Sequence, residues 1–221
     1  MRDLVVIVVI ALLASFLIKT FLIRSFYIPS ASMENTLLGE PGHHDRILVD
    51  ELVPRLIPLQ RGDVVVFTDP DHWLGDEPQP ASPTGPVATA ADWVAGLVGM
   101  SNHDSAGHLV KRVIGLPGDR ISCCNGLGQM SINGIPISEP YVRIPPGYTA
   151  VSRDPFHTVV PAGDLWVMGD NRYNSSDSRF NGPVPIEDVV GRASVISWPI
   201  TRWNWLSSYP ATYNAVNQTN P

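Results

Sequence analysis

The chain opens with an apolar run unlike anything later in it. Leu4–Ile23 reads LVVIVVIALLASFLIKTFLI, with one charge, Lys19, near its far end. Twenty helical residues rise ~30 Å, the thickness of bilayer hydrocarbon, and a lysine near the end can extend its stem to the interface. The pattern predicts an uncleaved membrane anchor over residues 1–24, with the rest of the chain on one side of the bilayer. The competing reading is a cleavable leader, since Ser30-Ala31-Ser32 fits small-x-small. The apolar stretch of a leader, however, is usually only ~7–15 residues long. Arg2 precedes the run and Lys19 and Arg24 lie at its far end, so the positive-inside rule does not choose an orientation.

After the anchor the pattern changes to short Val- and Ile-rich segments bounded by Gly, Pro or Asp, the signature of strands joined by turns. Asp45–Glu51, Asp63–Thr68, Leu109–Gly115, Arg120–Cys123, Met130–Ile132, Leu165–Gly169 and Val190–Ser197 are the expected strands. Asn133-Gly134, between MSI and IPI, predicts a tight hairpin because both residues accept positive φ. The expected fold is a mostly β domain over residues 25–221, interrupted at about 68–108 by a Pro- and Gly-rich insertion. Only Val87–Met100 within that insertion has a helical period. The tail after Trp198, with Trp203, Trp205 and Tyr209, is expected either to lie at a membrane interface or to cover the sheet.

Composition narrows the function. A net charge of −6 removes the electrostatic basis for nucleic-acid binding. Between Thr68 and Val110 there are six acids and no Lys or Arg, so the whole net charge sits in that stretch. Two adjacent cysteines, Cys123 and Cys124, cannot make a four-ligand zinc site or a disulfide scaffold. Neighbouring Cα atoms across a trans peptide lie ~3.8 Å apart, below the usual disulfide range, so two thiols in the core are expected. Neither a metal nor another cofactor is implied.

Three segments can carry chemistry. PSASM (Pro29–Met33) offers Ser30 and Ser32 within ~30 Å of the end of the anchor even if the chain is fully extended. HLVKRVIGLPGD carries Lys111, the only lysine beyond the first 23 residues, in an apolar strand. A buried lysine can lose its proton near neutral pH and activate a serine. On a strand edge it would merely reach water. GDNRYNSSDSR (Gly169–Arg179) is dense in hydrogen-bonding side chains; Ser175 can hold an amine there while Asp177 and Arg179 brace the loop. The six histidines, His43, His44, His72, His103, His108 and His157, lie in turn-rich segments or at the edge of the insertion, in no metal-binding spacing.

Taken together and in order, the anchor, FYIPSASMENTL, DRILV, RGDVVVF, VKRVIGLPGD and GDNRYNSSDSR resemble bacterial signal peptidase I. The likeness runs to Gly191-Arg192-Ala193 and lapses over Thr68–His108 and the tail. The resemblance implies Ser32 as nucleophile and Lys111 as general base. It also implies Ser30 beside the Ser32 N–H in the oxyanion hole, Ser175 orienting the amine, and Asp177 with Arg179 in support. Phe26, Ile28, Leu37, Ile47, Val66 and Val110 would wall the pockets for small side chains before the cut. Substrates would be exported preproteins bearing signal peptides, and the β domain would lie on the extracytoplasmic face of the cell membrane. Glu34-Asn35 departs from the apolar residue and Pro that many members carry, Ala31 replaces a common Gly, Glu40–His44 adds residues, and Tyr173 replaces an Asp. Two rivals are weaker. Self-cleaving SOS repressors use Ser and Lys but carry a DNA-binding domain and no anchor. A catalytically silent anchored domain would bind exported chains without turnover.

Overall fold

The computed structural model describes residues 23–40, 42–70, 73–75 and 107–219, with isolated positions 6, 7, 10 and 85. The expected anchor, the Val87–Met100 helix, His72 and His103 fall outside the described residues, apart from Val6, Ile7 and Ile10, which are helical and exposed. Among the described residues no helix is long and apolar enough to cross a membrane.

The principal sheet is antiparallel in every pairing. Its order is β1 (Ile23–Tyr27), β4 (Arg46–Asp50), β13 (Val189–Trp198), β5 (Val64–Thr68), β6 (His108–Gly115), β11 (Asp164–Met168) and β12 (Val184–Pro185). A short β14 (Asn204–Trp205) also pairs with β13. β2 (Gly39–Glu40) and β3 (His43–His44) form a hairpin beside the PSASM segment. The second sheet runs β10 (Phe156–Val159), β7 (Arg120–Cys123), β8 (Ser131–Ile132), β9 (Ile135–Pro136). All seven expected strands form with shifts of a residue or so, and Asn133 and Gly134 turn the β8–β9 hairpin at φ 53° and 81°.

Alternation along the strands sorts the interior into three apolar clusters. Phe26, Ile28, Met33, Leu37 and Ile47 pack under the PSASM segment. Val65, Phe67, Val113 and Val167 pack between β5, β6 and β11. Ile114, Ile121, Met130 and Ile132 join the two sheets.

Two features depart from the sequence expectation, and the tail meets one of its two alternatives in a helical form that was not expected. Ile23 and Arg24, placed at the end of the anchor, pair in β1 with Asp50 and Val49. The tail forms a helix, Pro210–Thr219, whose Tyr213 and Val216 are fully buried in the cluster between the sheets, so this part of it covers the core. Tyr213 escaped a helical reading because only two residues of that short segment are buried. Cys123 and Cys124 are joined as a disulfide rather than left as two thiols. Their peptide is cis and their Cα atoms are 3.0 Å apart, whereas the expectation assumed the trans separation.

Candidate active site

β1 delivers the chain to Ile28, whose N–H bonds Asp45 O, and Pro29 then leads into a single 3-10 turn, Ala31–Met33. Ser32 and Met33 are buried in this turn. Ser30 precedes it in extended conformation (φ −126°, ψ 152°) and makes no capping hydrogen bond, so its hydroxyl is free of the role serines most often take there. The Oγ atoms of Ser30 and Ser32 are 3.2 Å apart.

The turn is clamped from behind by the loop after β11. Asn171 N–H donates to Ser32 O (3.0 Å), and its side-chain amide donates to Ala31 O (3.1 Å). Gly169 makes the approach possible: a Cβ there would meet Ser175 Oγ at 2.3 Å and Ser32 O at 2.5 Å. Asp177 accepts from Gly169 N–H and holds Arg179 with two oxygens, at 2.8 and 2.9 Å. Burial works to raise Asp177, but the hydrogen bonds and charge of Arg179 outweigh it and keep the carboxyl below its ordinary range. Arg179 in turn donates to Arg172 O. The Asp177–Arg179 pair thus braces the loop.

Lys111 projects from β6 between Leu109 and Val113, which belong to an apolar cluster. It is 3% exposed, and its Nζ lies 2.9 Å from Ser32 Oγ and 3.1 Å from Val110 O. Burial brings its pKa down to about 8, against the opposing pull of Asp177 and Asp170. At pH 7 roughly one amine in ten is then neutral, against about one in 3,000 for an ordinary lysine. The arrangement can therefore take a proton from Ser32 and pass it on.

The expected contact of Ser175 with the amine is not formed: Nζ bonds Ser32 and Val110, and the buried Ser175 Oγ lies instead beside Asp177, whose carboxyl it helps to hold down. A cavity of about 230 Å³ opens over Ser32 and Lys111. Of the six wall residues named from the sequence, Phe26, Ile28 and Val110 line this cavity, together with Met33, Leu74 and Leu109. Leu37, Ile47 and Val66 do not. All three are fully buried in the same apolar cluster as Phe26 and Ile28, with Ile47 and Val66 on the neighbouring strands as cross-strand partners of Phe26 and Val110. His108 reaches the rim with its ring 5.2 Å from Phe26. No group of three or more His, Cys, Asp or Glu suited to a metal occurs among the described residues.

Sequence reasoning missed the groups that hold this site together. Asn171 sits in the GDN triplet, where polar turn residues offer no clue that its side-chain amide reaches a carbonyl 140 residues away. Arg112 follows Lys111 directly and is fully buried. It holds Asp170 with two nitrogens at 2.8 and 2.7 Å and donates to Gly62 O and Ser207 O. The adjacent Lys-Arg pair, in a strand otherwise apolar, was the available signal.

The family model for signal peptidase, peptidase S26, matches residues 1–198. A Mycobacterium leprae protein described as "Probable signal peptidase I" is 37% identical over 206 residues, covering 82% of this chain and 70% of its own. Signal peptidase I of Mycobacterium tuberculosis H37Rv is 35% identical over 232 residues, 94% of this chain and 76% of that one. That of Leptolyngbya laminosa is 35% identical over 185 residues, 84% and 73%. With a buried lysine amine against a serine hydroxyl in a mostly β domain, and these matches along nearly its whole length, the chain belongs to the signal peptidase family, peptidase S26.

Proposed function

We propose that the protein is a membrane-anchored serine endopeptidase that removes signal peptides from exported preproteins after a small-x-small sequence. The observation that carries the mechanism is the 2.9 Å separation of Ser32 Oγ from a lysine amine whose pKa burial brings to about 8. Neutral Lys111 takes the Ser32 proton as Oγ attacks the carbonyl carbon of the residue before the cut. The developing oxyanion is held by the Ser32 N–H and the Ser30 hydroxyl, each such donor being worth about 3–4 kcal/mol. As the C–N bond breaks, the protonated lysine gives its proton to the departing amine. The acyl-serine ester remains, and a water deprotonated by Lys111 then hydrolyses it. Ser175, whose buried Oγ lies beside Asp177, takes the role of steadying the amine once Ser32 is acylated, and Asp177 with Arg179 fixes the loop that carries it.

Phe26, Ile28 and Val110 form the pocket for small side chains before the cut; a cavity of about 230 Å³ lined mainly by apolar groups suits alanine. The residues before β1 act as the anchor, and the chain from Ile23 onward as the catalytic domain on the extracytoplasmic side. Trp198, Ile200, Trp203 and Trp205 are exposed together near the end of β13, chemistry suited to the bilayer interface. Confinement of enzyme and substrate to one membrane raises their encounter rate. The test is cleavage of a signal-peptide-bearing preprotein in lipid by wild type, Ser32→Ala, Lys111→Ala and Ser30→Ala. The expected result is cleavage after a small residue by wild type, lost with the first two variants and slowed about 10²–10³-fold with Ser30→Ala. Cleavage surviving either of the first two substitutions would refute the assignment. An inactive wild type, with a relative active on the same substrate, would favour the anchored binding domain.

A further inference from the structure

The PSASM turn separates two cavities. Pro29, Ser30, Ser32 and Met33 face the apolar pocket over Lys111, whereas Ala31 and Glu34 face a second, open cleft of about 500 Å³. Arg143, Pro145, Tyr148 and Asn174 supply much of its far wall. The rings of Tyr148 and Tyr173 are 4.6 Å apart there, and Arg153 lies over Tyr173. A peptide bound across Ser32 with its small side chains in the apolar pocket has this cleft on the other side of the bond to be cut.

One atom in the cleft points to a ligand. Glu34 is only 3% exposed, and its Oε2 accepts from Arg143 Nη1 at 2.7 Å. Its Oε1 is buried without an N–H or hydroxyl donor, and the Glu40 carboxyl, also on the cleft wall, lies within interaction distance of the group. A buried carboxylate oxygen without a donor is costly to keep, by about 1–3 kcal/mol or more. Burial, and after it the charge of nearby Glu40, push the Glu34 carboxyl above its ordinary range, which agrees with an incompletely satisfied group. Arg143 itself is held in place by its N–H bond to Asp170 O, so the pair is anchored to the same loop that clamps Ser32. A donor arriving with the substrate would complete the shell of Glu34 and relieve its crowding against the Glu40 carboxyl.

We propose that this cleft seats the first residues of the chain released by the cut, and that Glu34 positions them by accepting a main-chain N–H at Oε1. The proposal rests on the Ser32–Lys111 reading and extends it to the departing side of the substrate. Glu34 acts by positioning, so its effect belongs to peptides long enough to reach it.

The test is a series of peptides identical before the cut and extended by one to five residues after it, assayed with wild type, Glu34→Gln and Asn174→Trp. In Glu34→Gln the amide oxygen must face Arg143, which has only donors, and the amide NH₂ then opposes the substrate N–H. Asn174 is exposed at the rim, so a Trp there obstructs the cleft without entering the core. For wild type kcat/KM should rise about tenfold or more with extension, and that rise should be largely abolished in both variants. No rise with length in wild type, or an equal rise in all three proteins, would overturn the proposal. If wild type cut none of the peptides, the Ser32–Lys111 reading would fall, and this proposal with it.

Discussion

Lys111 and Arg112 are neighbours on β6, both buried and both cationic by nature, yet the two faces of the strand treat them oppositely. Arg112 is wrapped: Asp170 holds it with two oxygens, two carbonyls accept its remaining nitrogen, and the Tyr141 ring lies 4.2 Å away. Burial opposes its charge, but Asp170 overrides burial and raises its pKa further. Lys111 is given a hydroxyl and one carbonyl. There burial wins, and the pKa falls to about 8. Burial alone does not decide the state of a cation; the presence or absence of a carboxylate partner does. One strand thereby carries a permanent charge that shapes the loop beside a removable charge that does chemistry.

The most severe way to break this contrast is to make position 111 permanently charged too. Lys111→Arg should lower kcat/KM by about 10⁴-fold or more, since guanidinium cannot serve as base in the working pH range. Peptide cleavage followed over pH 6–10 checks it; recovery of activity at the alkaline end would contradict the role given to the neutral amine. Breaking the other half acts on stability. Asp170→Ala leaves Arg112 charged and unpaired in the interior and should cost about 3–5 kcal/mol, read from the denaturant midpoint. Lys111→Met should do the reverse. With folded and unfolded pKa values of about 8 and 10.5, the buried lysine costs about 3 kcal/mol at pH 7. That penalty is full below pH 8 and fades by pH 10.5, as the unfolded lysine also loses its proton. The Met variant should therefore be more stable by about 2–3 kcal/mol at pH 7, with the advantage shrinking toward pH 10. Equal stability of the two proteins at both pH values would show that the lysine is not desolvated.

The legible part of this molecule was what repeats or stands alone. Strands announced themselves by alternation and their bounding turns, and Lys111 by being the only lysine in an Arg-rich domain. What escaped was set by three-dimensional proximity. Phe26, Ile28 and Val110 line the pocket, whereas Ile47 and Val66 sit one strand further along the same sheet and Leu37 lies within the core, a distinction that apolar character cannot carry. β10 went unseen because Phe156–Val159 is only half buried and has no long apolar run. Glu34 looked like a substitution in a loop; only the fold brings Arg143 to one oxygen and leaves the other without a donor beside Glu40.

The finest adjustment of the contrast lies in Asp177. Its charge is the larger of the two carboxylate influences raising the Lys111 pKa, although its direct partner is Arg179. Asp177→Asn removes that charge while an amide oxygen can still accept from Gly169 N–H. The lysine pKa should drop, so the alkaline rise of kcat/KM, centred near pH 8 in wild type, should move to lower pH by about one unit or less. Loss of the Arg179 pair lowers stability and the maximal rate, but neither of these shifts the midpoint of the pH profile. The midpoint therefore separates the electrostatic role from the bracing one. A profile displaced to higher pH would mean that desolvation of the amine is relieved when the loop loosens. An unmoved midpoint would mean that Arg179 already cancels Asp177 at the amine, leaving burial to set the pKa of Lys111 against Asp170 alone.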